Sequence, residues 1–191
     1  MRKALVLSLL AALALALVIP SIVSATDITI TATPSYISFS SAPTTWTLNG
    51  ETGDSKIDVD TVYYANPTGD DDPPSSTVLD GECKFTWTND SSVNIDITVN
   101  CGSFTGGDAD MTNSGTGSNG ATTFGAYSWY SGMTYSTKVI VQSSGSDTLY
   151  TTVTPGEDKK WGAEIETRTD SWTGSSSSTA TMTITAAEAE A

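Results

Sequence analysis

The sequence predicts an all-β fold, an antiparallel β-sandwich, on three observations. Beyond residue 25 no eleven-residue window carries apolar residues at helical spacing. In its place come eight to ten short runs that alternate apolar and polar residues, separated by Pro, Gly and Asn-Gly turns. The third observation is the stretch 83–101, CKFTWTNDSSVNIDITVNC, in which Phe85, Trp87, Val93, Ile95, Ile97, Val99 and both cysteines are odd-numbered. Side chains alternate faces with period two along a strand, so one face of this stretch is apolar and the other polar.

The runs follow in order. Residues 26–33 alternate Ile28, Ile30 and Ala32 with threonines until Pro34 ends them. Tyr36, Ile37 and Phe39 suggest a short second piece. Trp46 and Leu48 lead into the Asn49-Gly50 turn, and Ile57, Val59 and Thr61 run into Val62-Tyr63-Tyr64. Residues 66–76, NPTGDDDPPSS, read as a loop, because proline lacks a ladder donor and three successive aspartates repel. The stretch 83–101 reads as a hairpin in which Cys83 faces Cys101, Phe85 faces Val99 and Trp87 faces Ile97. Residues 102–120, rich in Gly, Ser, Thr, Asn and Asp, read as a long excursion. Phe124–Tyr130 is an aromatic strand, and Tyr135, Thr137, Val139 and Val141 alternate. Leu149 and Val153 precede a Pro155-Gly156 turn of type II character. Trp161, Ala163, Ile165 and Thr167 form the next strand. SWTGSSSS is a loop, and Ala180, Met182, Ile184 and Ala186 form the last strand.

Residues 1–25 read as a signal peptide: Arg2 and Lys3, an apolar run from Ala4 to Ile19, a break at Pro20, and Val23-Ser24-Ala25 before the cut. The expected mature chain, 26–191, is then one β-sandwich domain, secreted to the cell exterior or cell surface, with no membrane segment after cleavage. It carries six basic against 22 acidic residues, a net charge of about −16. Such a surface repels phosphate backbones, so nucleic acid is excluded as a partner. In a secreted chain the two cysteines are expected to pair as a Cys83–Cys101 disulfide closing a short loop, worth roughly 3 kcal/mol; two free thiols are the alternative.

KFTWTNDSSVNIDITVNCGSF, TVTPGEDKKWGAEIET and STATMTITA occur in that order over residues 83–186. Together they resemble the secreted immunoglobulin-like β-sandwich domains of exported bacterial and archaeal surface proteins. The resemblance implies an exported structural or adhesive role and no enzymatic one.

The residues themselves argue against catalysis. There is no histidine, which removes the commonest general base and zinc ligand. No phosphate-binding glycine loop precedes a helix, and no spacing singles out two of the many carboxylates. No cofactor is expected, calcium excepted. Asp70, Asp71 and Asp72 in one loop and Asp108 and Asp110 in another offer hard oxygen ligands. They depart from the EF-hand pattern, which needs glycine where Asn113 stands; the alternative is solvated acidic loops. Tyr127, Trp129, Tyr130 and Tyr135, with Trp172 in its polar loop, are candidates for stacking on sugar rings, against the alternative of core packing. Asn89-Asp90-Ser91 matches the N-glycosylation pattern at the predicted hairpin tip. Ile28 and Ile30 are candidates for strand exchange with a neighbour's open sheet edge. The function expected first is a secreted, non-enzymatic surface structural or assembly protein, filament-forming through such exchange, with itself or other surface proteins as partner. The alternative is a carbohydrate-binding or adhesion module.

Overall fold

Alternating β-branched and aromatic runs give ten strands and no α-helix among the described residues. They are β1 (Phe39–Ala42), β2 (Val62–Tyr64), β3 (Phe85–Asn89), β4 (Ile95–Cys101), β5 (Thr112–Asn113), β6 (Thr123–Tyr130), β7 (Val139–Ile140), β8 (Asp147–Val153), β9 (Asp158–Glu166) and β10 (Met182–Glu188). The computed structural model describes residues 36–48, 57–67, 72–144, 147–174 and 176–190, within the unit Ser35–Ala191. The predicted signal peptide, the run 26–33 with Ile28 and Ile30, and Asp70 and Asp71 lie outside the described residues.

Two sheets form. The larger runs β1-β3-β9-β6-β5, with β2 also beside β9 and β7 also beside β6; the smaller runs β10-β4-β8. Every ladder is antiparallel except the two-residue β5–β6 pair. β3, β6 and β9 of one sheet and β4 and β8 of the other bury side chains in a single core, the arrangement of a β-sandwich. Phe85 stacks on Trp161 with ring centroids 4.4 Å apart. Trp87 meets Tyr150 edge-on across the sheets at 5.5 Å.

The predicted hairpin is corrected. β3 pairs with β1 and β9, whereas β4 pairs with β10 and β8, so residues 90–94 carry the chain from one sheet to the other. The expected parity holds: Phe85, Trp87, Ile95, Ile97, Val99 and Cys101 are all buried. Alternation determines which face is buried but not which strand lies alongside, and an apolar face is satisfied as well by stacking on an opposite sheet.

The disulfide goes with the hairpin. Cys101 lies in the core between the sheets, while Cys83 packs with Val78, Trp129 and Met133 in a second cluster. Both thiols are free. Burial, with Asp80 and Glu82 nearby, pushes the Cys83 thiol up to about 12. Burial alone pushes Cys101 up to about 12, so both remain protonated at neutral pH.

Three further segments depart from the pattern. Tyr135–Thr137 is a 3-10 turn and only Val139–Ile140 is strand, because Tyr135 and Lys138 turn toward Glu164. Trp46 and Leu48 form no strand and lie half-buried against the core. In β8 the register slips against β4 at two points, with Thr152 at φ 53°. The bulges turn both Leu149 and Tyr150 inward, where strict alternation would bury one.

β9 lies at the centre because its sequence serves both faces. Trp161, Ala163 and Ile165 enter the shared core. On the other face, Gly162 leaves room for the Trp129 ring of β6: a Cβ there would stand 2.5 Å from that indole.

Candidate functional site

One side of the sandwich carries a groove of about 740 Å³, lined among others by Trp46, Leu48, Phe85, Trp161, Met182 and Ile184. It lies where two sheet edges come together. β1 pairs only with β3, and β10 pairs only with β4 among the described strands. Thr181 C=O accepts from Gly102, and Ala189 N–H donates to Asn94. Backbone groups alternate in an antiparallel ladder, so residues 183, 185 and 187 face β4. The N–H and C=O groups of Met182, Ile184 and Ala186 point away from it. The same three residues turn their side chains toward the core and stay only half-buried. Natural edges are usually blunted by lysine, proline or a bulge; β10, MTITAAE, has none of these.

Two buried asparagines tie the sheets together. Asn89 Nδ2 donates to Val153 C=O at 2.8 Å and Val93 C=O at 3.2 Å, and its Oδ1 accepts the Ser91 N–H at 2.8 Å. Asn113 repeats the pattern: Nδ2 donates to Cys101 C=O (2.8 Å) and Val141 C=O (3.0 Å), and Oδ1 accepts the Gly115 N–H (2.9 Å). Each closes an Asx turn and bridges to the opposite sheet. Asn89 is fully buried, so in the folded chain its amide nitrogen is inaccessible to a glycan. Asn113 occupies the position where an EF-hand would need glycine, and buried hydrogen bonding is its use here.

On the other face of the large sheet, Lys138 Nζ sits 2.7 Å from Glu164 Oε1 and 2.5 Å from Oε2. It lies 4.2 Å from the Tyr127 ring centroid and 4.7 Å from that of Tyr135. Tyr135 OH donates to the same carboxylate. Glu164 is 3% exposed, so this is a buried charge with an ammonium and a phenol as partners. Burial, together with the bond to Glu164, holds the Tyr135 hydroxyl protonated far above its ordinary range. Burial and the Glu164 charge raise Tyr64 and Tyr127 as well. Neither Lys138 nor Glu164 was singled out in the sequence. The available signal was an acid in β9 at a position sharing a face with Gly162.

Glu166 follows on the same face. Burial first, then the charges of Glu164 and Asp60, raise its pKa above 4.5. A carboxyl raised by folding contributes stability below the ordinary carboxyl range, and that contribution is lost as the pH rises through the folded pKa. Glu166→Gln is therefore expected to stabilise the fold at pH 7 by about 0.5 kcal/mol, a small figure because the site is largely solvated. The gain should vanish in urea melts at pH 3.5; an equal gain at both pH values would contradict this origin.

Of the predicted calcium ligands, Asp108 and Asp110 hold hydrogen bonds between two loops. Asp108 Oδ2 accepts the Ser176 N–H at 2.7 Å. Asp110 Oδ1 accepts from Ser178 Oγ at 2.8 Å and from Gly107 N–H at 3.2 Å. These carboxylates stitch residues 107–110 to 176–178. Asp72 is exposed, and its carbonyl accepts from the Asn66 side chain. No cluster of three or more metal-ligating side chains occurs among the described residues.

Of the candidate stacking aromatics, Tyr127 and Tyr135 gather around Lys138, with Trp129 edge-on to Tyr135 at 5.8 Å. Trp129 is fully buried. Trp172 is half-buried beside Arg168, whose guanidinium carbon is 5.7 Å from its ring centroid. Tyr130 packs at 4.6 Å against Tyr150 and lines a smaller depression.

The fold and the groove define the chain as an all-β protein with a sandwich core and an unblunted sheet edge. Comparison with protein-family models, curated proteins and solved structures found no match.

Proposed function

We propose that the chain is a secreted, non-enzymatic structural subunit of the cell surface, built on an immunoglobulin-like sandwich and joined copy to copy by exchange of the alternating run 26–33. The observation that carries this reading is the free edge of β10, whose outward backbone groups have no ladder partner among the described residues and which lacks lysine, proline or a bulge. An exposed edge of that kind pairs readily with another strand. The run 26–33, with Ile28 and Ile30 on one face and threonines on the other, has the pattern such an edge accepts. A net charge of about −16 over residues 26–191 keeps monomers soluble, while β10 carries no charge before Glu188 at its end.

The chain 26–191 is expected to grow into large particles in light scattering, regular filaments by electron microscopy, while 34–191 stays monomeric. Measurements with and without millimolar calcium show whether the acidic loops take part. Equal growth of 34–191 would overturn the reading.

A further inference from the structure

We infer that the groove between the β1 continuation, residues 43–48, and β10 accepts residues 26–33 of a second copy, laid antiparallel along β10. This rests on the strand-exchange reading and specifies its receiving site.

The groove's chemistry supports that occupant. None of its lining residues among those described is charged, although the chain carries 22 acidic residues. Residues 26–33 carry one charge, Asp27, near their start. Eight extended residues span about 26 Å, enough to run the length of the seven-residue β10. Ile28, Ile30 and Ala32 recur at the same period as Met182, Ile184 and Ala186. They would complete the cover that leaves those β10 side chains half-exposed.

A polar observation points the same way. Trp161 lines the groove and is 4% exposed, and its indole N–H, like that of Trp87 elsewhere in the core, has no acceptor among the described residues. A buried donor without a partner is costly. An inserted strand brings carbonyls and threonine hydroxyls that accept.

Strand direction selects a second copy over the chain itself. Tyr36 and Ser92 are hydrogen-bonded through both backbone and side chain. This lies at the end of the sandwich toward which β10 runs, since Ala189 bonds Asn94. A strand entering the fold through Tyr36 and laid on β10 would be parallel to it. Both ladders of the small sheet are antiparallel, and a strand from another molecule is free to continue that pattern.

The test uses residues 26–191 with one substitution set on each side of the contact. Ala186→Pro removes an outward N–H from β10 and spares the ladder to β4, as proline is tolerated on edge strands. Ile28→Asp with Ile30→Asp disables the donor and changes none of the described residues. Each variant alone is expected to be a folded monomer by circular dichroism and light scattering. Mixed, they should form a one-to-one dimer that grows no further, because only one donor and one groove remain intact. Growth of Ala186→Pro like the unsubstituted chain would overturn the groove as the receiving site while leaving strand exchange standing. Failure of the unsubstituted 26–191 to assemble would overturn the functional reading and this inference together. If Ala186→Pro is unfolded, Trp161→Phe replaces it. Weaker assembly is then expected, and unchanged assembly would overturn the groove.

Discussion

Lys138→Ala is expected to destabilise the fold by about 3 kcal/mol, because it strips the ammonium from a carboxylate that stays buried. Glu164 is 3% exposed and takes two bonds from Lys138 Nζ. Without them, the Tyr135 hydroxyl is its remaining side-chain donor. The Lys138 ammonium also loses its seat between the Tyr127 and Tyr135 rings. Adding Glu164→Gln to Lys138→Met should recover most of the loss. The amide oxygen still accepts from Tyr135, and the methionine stem still packs between the rings. Urea melts of the two variants decide the matter. A Lys138→Ala cost below about 1 kcal/mol, the range of solvated pairs, would mean that the pair is exposed in solution.

Asn89→Ala is expected to cost about 2 kcal/mol, because it leaves the buried Ser91 N–H without its acceptor and removes the bonds to the Val153 and Val93 carbonyls. The measurement belongs in a host that adds no glycans, so that the loss reports the hydrogen bonds alone. Asn89→Asp should be no milder. It keeps an acceptor for Ser91 but aims a second oxygen at the Val153 and Val93 carbonyls. Wild-type stability in Asn89→Ala would show that the bridge between sheets does not form.

Asn89 illustrates where local reading stops. Asn-Asp-Ser between two strands looks like a hairpin tip that is open to solvent. Once the following strand crosses to the opposite sheet, Asn89 and Ser91 are buried at the corner while Asp90 stays exposed. Asn113 is the parallel case. Its neighbours look like a flexible acidic loop, yet its amide reaches Cys101 and Val141, 12 and 28 residues away. Lys138 and Glu164 are 26 residues apart and meet only because β6 and β9 are adjacent. Partners at such separations leave no period in the sequence.

Strand positions and their buried parity were legible. Trp161, Ala163, Ile165, Ile95, Ile97 and Val99 all lie inward as period two requires. Parity failed at the β8 bulges, where added residues break the alternation that makes it readable. The groove could not be read at all. Its walls come from residues 41–48, 85, 101–104, 161–165 and 177–184, segments that meet only after both sheets close.

The sequence by itself determined an all-β chain and which face of nearly every strand turns inward, because side-chain alternation is a property of each strand alone. Only the tertiary structure decided which strands are neighbours. That choice separated the two cysteines, buried Asn89, matched Lys138 to Glu164 and left β10 with one neighbour among the described strands. The physical reason is that an apolar face gains as much from covering by an opposite sheet as from continuing its own. The outcome therefore depends on how all ten strands share one core.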